Sequence, residues 1–542
     1  MYALTPFNQV LGRRKAKHLL RRATFNFSKS TIESIAGMTA TEAVTFLSTN
    51  PSNIIAEPQD PGSDGFWTSS TQPPSSFKAQ ARKRAYVTGW WWYNAVNQIT
   101  LKHKLSFFLF TSFTVSKDNG AGAATLFYDY LRLLDTFAMG NIKTFAKKIT
   151  SDNAMLNYLD NTKNNANNPN ENYAREFLEL FTILKGPQIG NDNYTNYTEL
   201  DVQQAAKVFS GFKKQEDRTL IDPDTNLPKG YNNVNKHDKN NKTFSSAFGN
   251  HIITGQSTEE GMNEELDDFV EMVFAQEETA KAYCRKLYRF FVRSTWDASV
   301  ESDIITPLAQ ELISNNFEIL PVVTTLLSSQ HFYDEDNTNN SDEIIGGMVK
   351  HPLQMLNEVI TLFQIPIPDP DTEADDYYVQ FFRRFAHDSF LDSAGMDFFS
   401  PNTVAGYPAY YQEPSFDRLW FSSNTIITRY KLIESFIRGR NSIFPNASIK
   451  TEIDIVAFVE NNITTPKFIR DLVSELASLL YPEDISTERI TYFIEIALDG
   501  FADFYWTGIW NDYISTGDDT IVRNRLNTLV TTMVNAAEFQ LM

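Results

Sequence analysis

Between Asn168 and Leu184 the chain spells out a helix start followed by one apolar stripe, and patterns of this kind recur along most of its length. Asn168 fits an N-cap, Pro169 the first helical position and Glu171 the acid of a capping box. Tyr173, Phe177, Leu180, Phe181 and Leu184 then fall at steps of three and four, one face of a helix. Arg175, Glu176 and Glu179 lie off that stripe. Arg175 and Glu179 are four apart and can pair along the helix. Two readings follow: a solvated face with a surface ion pair, or a buried Arg–Glu cluster that lines a pocket and shifts its carboxylates.

The same spacing predicts helices over residues 31–47, 79–99, 102–113, 123–137 and 142–149, and again from 263 to 330. Thr198 and Asp201 form a capping signal for a helix whose stripe is Val202, Ala205, Ala206 and Phe209. From 212 to 255 the character changes to Asn, Asp, Lys and Gly interleaved with single aromatic and aliphatic residues, an irregular insert with short strands or hairpins. A Pro/Ser/Gly-rich loop covers 51–77, and polar linkers cover 334–343 and 366–376. The remainder, 377–542, is again helical. The expected fold is mainly α, a large multi-helix unit spanning 1–542 with one small β-hairpin insert and no internal repeat.

Charge narrows the partners. Forty-eight Lys and Arg against 67 Asp and Glu give a net charge of -19, which disfavours nucleic acid and anionic membrane surfaces. The local exception is the segment from Arg13 to Arg22. Read as a helix, it puts Ala16, Leu19, Leu20 and Ala23 on one side and Arg14, His18, Arg21 and Arg22 on the other. This is either a basic face paired with the chain's own acids or an anion site. The single cysteine, Cys284, excludes an intrachain disulfide and a thiolate-rich metal site; its aromatic helical surroundings fit a packed thiol. No stretch is apolar and long enough to span a bilayer, and no basic-then-apolar leader opens the chain, so the cytoplasm is the default compartment.

No phosphate-binding loop, nucleotide fingerprint, zinc-binding His-Glu-x-x-His or serine elbow is present, and no cofactor is evident. Asp222-Pro223-Asp224-Thr225-Asn226 copies the first three ligands of a calcium loop but fails at the glycine and bidentate positions, as does the segment from Asp334. A weak divalent-cation site is all they support.

Several segments together resemble the bacterial "domain of unknown function 1800" proteins. They are His18–Phe25, Asn170–Glu176, Tyr197–Val202, His237-Asp238 with Lys242-Thr243-Phe244, Pro401–Pro408, and Glu538-Phe539-Gln540. The resemblance covers essentially the whole chain. It implies a large, mainly helical unit, often encoded beside a sulfatase-like protein, with an envelope location as the alternative to the cytoplasm. It carries over no reaction. Where relatives commonly show a Trp-His-x-His-Phe-like run, this chain has Leu109-Phe110-Thr111-Ser112-Phe113, so both imidazoles are gone. The usual Gly-Trp after the Pro-Asn run is Gly406-Tyr407.

Two functions compete. One is a binding or assembly protein that works with a sulfatase-like partner, a polar glycan or an anionic ligand, with aromatics such as Trp90–Tyr93 or Phe416–Phe421 serving recognition. The other is a hydrolase or transferase on a polar anionic substrate. In that case Glu176, His18, His237 and Asp238 would move protons, while Arg21, Arg22, Arg175 and Glu179 fix the substrate. The second reading expects these groups to converge in one cleft. The missing histidines tilt the expectation toward binding.

Overall fold

The computed structural model describes residues 3–49, 51–62, 67–68, 77–191, 193–337, 343–439 and 451–542. The expected 51–77 loop and 334–343 linker lie partly outside these residues. The fold is mainly α, with 22 α-helices among the described residues and three two-stranded antiparallel sheets. Two sheets sit in the expected insert: Phe212–Lys213 pairs with Tyr231–Asn232, and Lys242–Thr243 with Ile252–Ile253. The third, Gln188–Gly190 with Asn193–Tyr194, follows the central helix and was not expected.

Helices pack in neighbouring pairs. Glu277–Phe291 lies on Thr306–Ser314, Phe77–Val96 and Lys102–Ser112 both lie on Ala124–Phe137, and Thr487–Leu498 lies on Thr520–Val534. The apolar faces merge into one continuous core that runs from Phe7 to Phe539. Trp90, Trp91 and Trp92 are buried in it, so they are core and not a recognition surface. Three neighbouring tryptophans cannot share one helix face, and here the Phe77–Val96 helix is covered on several sides. Trp90 packs on Tyr128, Trp91 on Phe399 and Trp92 on Phe382. In the Phe416–Phe421 stretch Phe416 and Trp420 are also buried, whereas Phe421 is exposed.

Local departures from the expected helices have identifiable causes. The 31–47 helix is two, Lys29–Ala36 and Ala40–Leu47, broken at Gly37 and restarted by a Thr39/Glu42 capping box. The central helix starts at Asn172 and not after Asn168, and Glu171 makes no side-chain cap. Its neighbouring asparagines tie down the loop instead: Asn164 Oδ1 accepts from the Asn170 backbone N–H and Asn170 Oδ1 from Asn172. After Glu176 this helix widens into a π-helical turn, Phe177–Phe181. Thr198 and Asp201 do form the expected capping box, and Asp201 also accepts from Ser245, which ties the insert to the helix. Cys284 is buried, and burial pushes its thiol pKa up, as expected of a packed residue.

Candidate functional site

Four stretches far apart in the sequence meet around one cavity of about 340 Å3. The end of the Lys102–Ser112 helix contributes Phe108, Thr111 and Ser112, and the π turn and its exit contribute Leu180 and Leu184. The Glu277–Phe291 helix contributes Arg285, Lys286, Arg289 and Phe290, and the segment after Gly406 contributes Tyr410, Tyr411 and Glu413.

Each wall has a local cause. A π turn lifts carbonyls out of the helical ladder. Here the Leu180 carbonyl accepts from Lys286 Nζ and the Phe181 carbonyl from the Tyr283 hydroxyl at 2.6 Å, so the turn is locked onto the basic helix. Gly406 brings the 405–413 segment against the end of the Lys102–Ser112 helix. Its φ is +84°, and a Cβ there would lie 3.0 Å from Thr114 Oγ1, so both the backbone and the close approach require glycine.

The cavity is rich in donors. Arg285 is spent on Glu301 at 2.6 Å and Glu278 at 3.0 Å. Arg289 has no ion pair among the described residues. Its guanidinium lies between the rings of Trp296 and Phe416, 4.9 and 4.5 Å from their centres, and Glu413 is the acid whose field it feels. Burial pulls the Lys286 ammonium down to about 7, with the charge of Arg289 adding to the shift. The buried Tyr410 hydroxyl has no hydrogen-bond partner among the described residues. Two basic side chains without an ion pair among the described residues, the hydroxyls of Ser112, Tyr410 and Tyr411, and flat aromatic faces suit an anionic ligand that also carries hydroxyls.

The residues singled out from sequence fall into three separate groups, not one cleft. His18, Arg21 and Arg22 are buried. His18 packs at a tilt against Phe332, its ring centre 4.4 Å away, and burial beside three arginines keeps it neutral. Arg21 pairs with Glu358 at 2.9 Å and donates to the Leu480 carbonyl. Arg22 donates to the Met542 carbonyl at 2.7 Å and contacts the Met348 sulfur. In the second set Arg175 pairs with Glu199 at 2.7 Å and Glu171 at 3.2 Å, not with Glu179, because the π turn carries Glu179 away to Lys185. In the third, His237 Nδ1 lies 2.8 Å from the Ser210 carbonyl and Nε2 3.1 Å from Glu265, while the Asp238 backbone N–H donates to Ser210 Oγ. These contacts pin the insert to its neighbours. The calcium-like Asp222 and Asp224 are bridged by the Lys148 ammonium, which lies 2.8 Å from Asp222 where a cation would sit.

Glu176 alone among these keeps an unusual carboxyl. Burial and the neighbouring Glu179 raise it to about 7. A raised carboxyl stays protonated in the fold while the unfolded chain ionises near its ordinary value. Stability is therefore lost as pH rises from about 4.5 to about 7. Glu176→Gln should match the parent near pH 4 and exceed it at pH 8 by about 1–2 kcal/mol, allowing for partial exposure. Urea unfolding at the two pH values checks this. Equal stability at both would show that the carboxyl is ordinary.

With the geometry in view, comparison with known families gives one result. Residues 18–541, nearly the whole chain, match the family described as "Protein of unknown function (DUF1800)". The chain belongs to this family. No curated protein and no solved structure matches it.

The DUF1800 segments identified from sequence bear directly on the cavity. Of the two positions that the resemblance marks as expected histidines, Phe110 is core, with its ring 4.7 Å from Phe399, while Ser112 lines the cavity. Tyr407 uses its hydroxyl to donate to the Asp397 carbonyl at 2.7 Å and to accept from Phe399 N–H at 2.9 Å. It thereby braces the Gly406 segment. Sequence reading missed Lys286, Arg289, Tyr410 and Glu413. Arg285, Lys286 and Arg289 fall at steps of one and three on a helix that also carries Tyr283, Tyr288, Phe290 and Phe291, and the sequence reading of that stretch considered only the packed Cys284.

Proposed function

We propose that this DUF1800 protein binds a small anionic, hydroxyl-bearing ligand, an acidic or sulfated sugar, in the cavity between Ser112, Lys286, Arg289 and Tyr410. The supporting observation is the charge imbalance in that cavity: Arg289 and Lys286, neither with an ion pair among the described residues, share it with a single carboxylate, Glu413. Arginine would fix the anionic group by paired hydrogen bonds, and the aromatic faces would take the ring of the sugar. A sulfatase-like partner, implied by the family resemblance, fits a protein that presents or receives such a ligand. The working compartment is the cytoplasm, with the envelope as the family's alternative. No helix among the described residues is long and apolar enough to cross a membrane.

Thermal unfolding against sulfate, phosphate, uronic acids and sulfated sugars tests the reading, because a ligand that binds only the folded state raises Tm. Arg289→Ala should weaken the best ligand at least about tenfold, roughly 1.4 kcal/mol. Affinity should also fall as pH rises through about 7, since Lys286 carries its charge only below that value. A panel with no shift, or a shift that survives both Arg289→Ala and Lys286→Met, refutes the proposal.

A second reading, hydrolysis or group transfer, draws on one observation. Lys286, brought to about 7 by burial, shares the cavity with the Ser112 hydroxyl, so a base of suitable strength and a hydroxyl stand together. Turnover of a bound sulfated or acylated sugar that Lys286→Met abolishes while binding persists below neutral pH would favour it.

A further inference from the structure

Behind the cavity, across a wall made by Arg289, Phe290 and Tyr410, lies a second chamber of about 10 Å3. That is room for about one water-sized sphere. Its lining also includes Arg22, Lys104, His351 and Asp417. We propose that this inner chamber is a halide site, holding one chloride ion between Arg22 Nε and the Tyr410 hydroxyl.

The lining leaves buried donors without a partner, whereas each acceptor named below already holds at least one hydrogen bond. Arg22 Nε–H and Tyr410 O–H are buried and have no partner among the described residues. His351 Nδ1 accepts from the Gln354 backbone N–H at 3.2 Å, so in the neutral ring Nε2 carries the proton. Asp417, the acid of the chamber, already accepts from Ser294 Oγ at 2.5 Å and from Val349 N–H at 2.7 Å. The Met542 carbonyl accepts from Arg22. A water molecule needs acceptors as well as donors. A monatomic anion needs only donors, and an oxyanion is too large for the space.

Charge points the same way. Arg22, Lys104 and Arg289 line the chamber, with Asp417 as its acidic side chain, and Arg22 and Lys104 are 1–2% exposed. Unpaired buried cations are costly. Burial and the field of Arg22 hold Lys104 well below its ordinary pKa, and an anion in the chamber would relieve that shift. This inference does not depend on what the outer cavity binds.

Crystals of the full chain soaked in bromide, with data collected at the bromine absorption edge, give the direct test. The expected result is an anomalous peak within hydrogen-bond reach of both Arg22 Nε and the Tyr410 hydroxyl. Thermal unfolding should show a saturable rise of Tm with millimolar chloride or bromide, and Tyr410→Phe should lose most of that rise. Bromide peaks confined to the surface, or a chamber filled by water in bromide-soaked crystals, would overturn the proposal. So would a halide effect of equal size in Tyr410→Phe. If that variant does not fold, the anomalous map of the parent protein still decides.

Discussion

Glu358→Ala should destabilise the protein by about 3–5 kcal/mol, the usual cost of removing one partner from a buried ion pair. Glu358 is fully buried between Arg21, 2.9 Å from Oε1, and Lys350, 3.0 Å from Oε2. Burial alone would raise its pKa, but the two cations hold the carboxyl below its ordinary value. The stability it supplies is therefore present above about pH 4.5 and is lost as pH falls through its lowered value. Without it two cations stay buried with no carboxylate between them. Guanidinium unfolding at neutral pH measures the loss. A double replacement, Arg21→Met with Glu358→Leu, should recover most of it, because well-packed apolar groups often replace a buried pair at little net cost. A single Glu358→Ala loss below about 1 kcal/mol would mean that the cations find other partners.

Phe539→Ala should cost a similar amount, about 3–5 kcal/mol, as expected for truncating a large buried aromatic. Phe539 is fully buried, the Lys350 ammonium sits 3.8 Å from its ring centre, and its carbonyl accepts from Lys350 Nζ at 2.6 Å. The loss thus combines a cavity with a weakened anchor for Lys350. Phe539→Leu keeps most of the volume but removes the π face, so the difference between the two variants separates packing from the cation–π contact. Equal losses from Leu and Ala would put the whole effect on the ring face.

Helices were legible in the sequence wherever apolar residues kept steps of three and four, because that spacing follows directly from helical geometry. The Thr198/Asp201 capping box was legible for the same kind of reason: local partners three residues apart. The start at Asn172 was not. Its asparagines had equally good partners in the loop, Asn164 with Asn170 and Asn170 with Asn172, and the loop won. The π turn at Phe177–Phe181 has no pattern of its own, yet it rerouted Glu179 to Lys185 and so broke the expected pair with Arg175. For the site, sequence reading found Arg22 and the altered Ser112 position, which line the two chambers, whereas the altered Phe110 is core. It could not find Arg289 and Tyr410. Their role comes from the fold bringing residues 108–112, 180–184, 282–290 and 405–413 together, a non-local event that no spacing records.

The first helix also sets a timetable for making this protein. Its cations reach their partners late: Arg21 at Glu358 and Leu480, Lys17 at Ser478 and Tyr481, and Arg22 at Met542, 520 residues on. At ribosomal speeds of about 5–20 residues per second, those side chains wait on the order of half a minute to two minutes for their last acceptor to be synthesised. Through that interval the nascent chain carries an unfinished basic helix near its start.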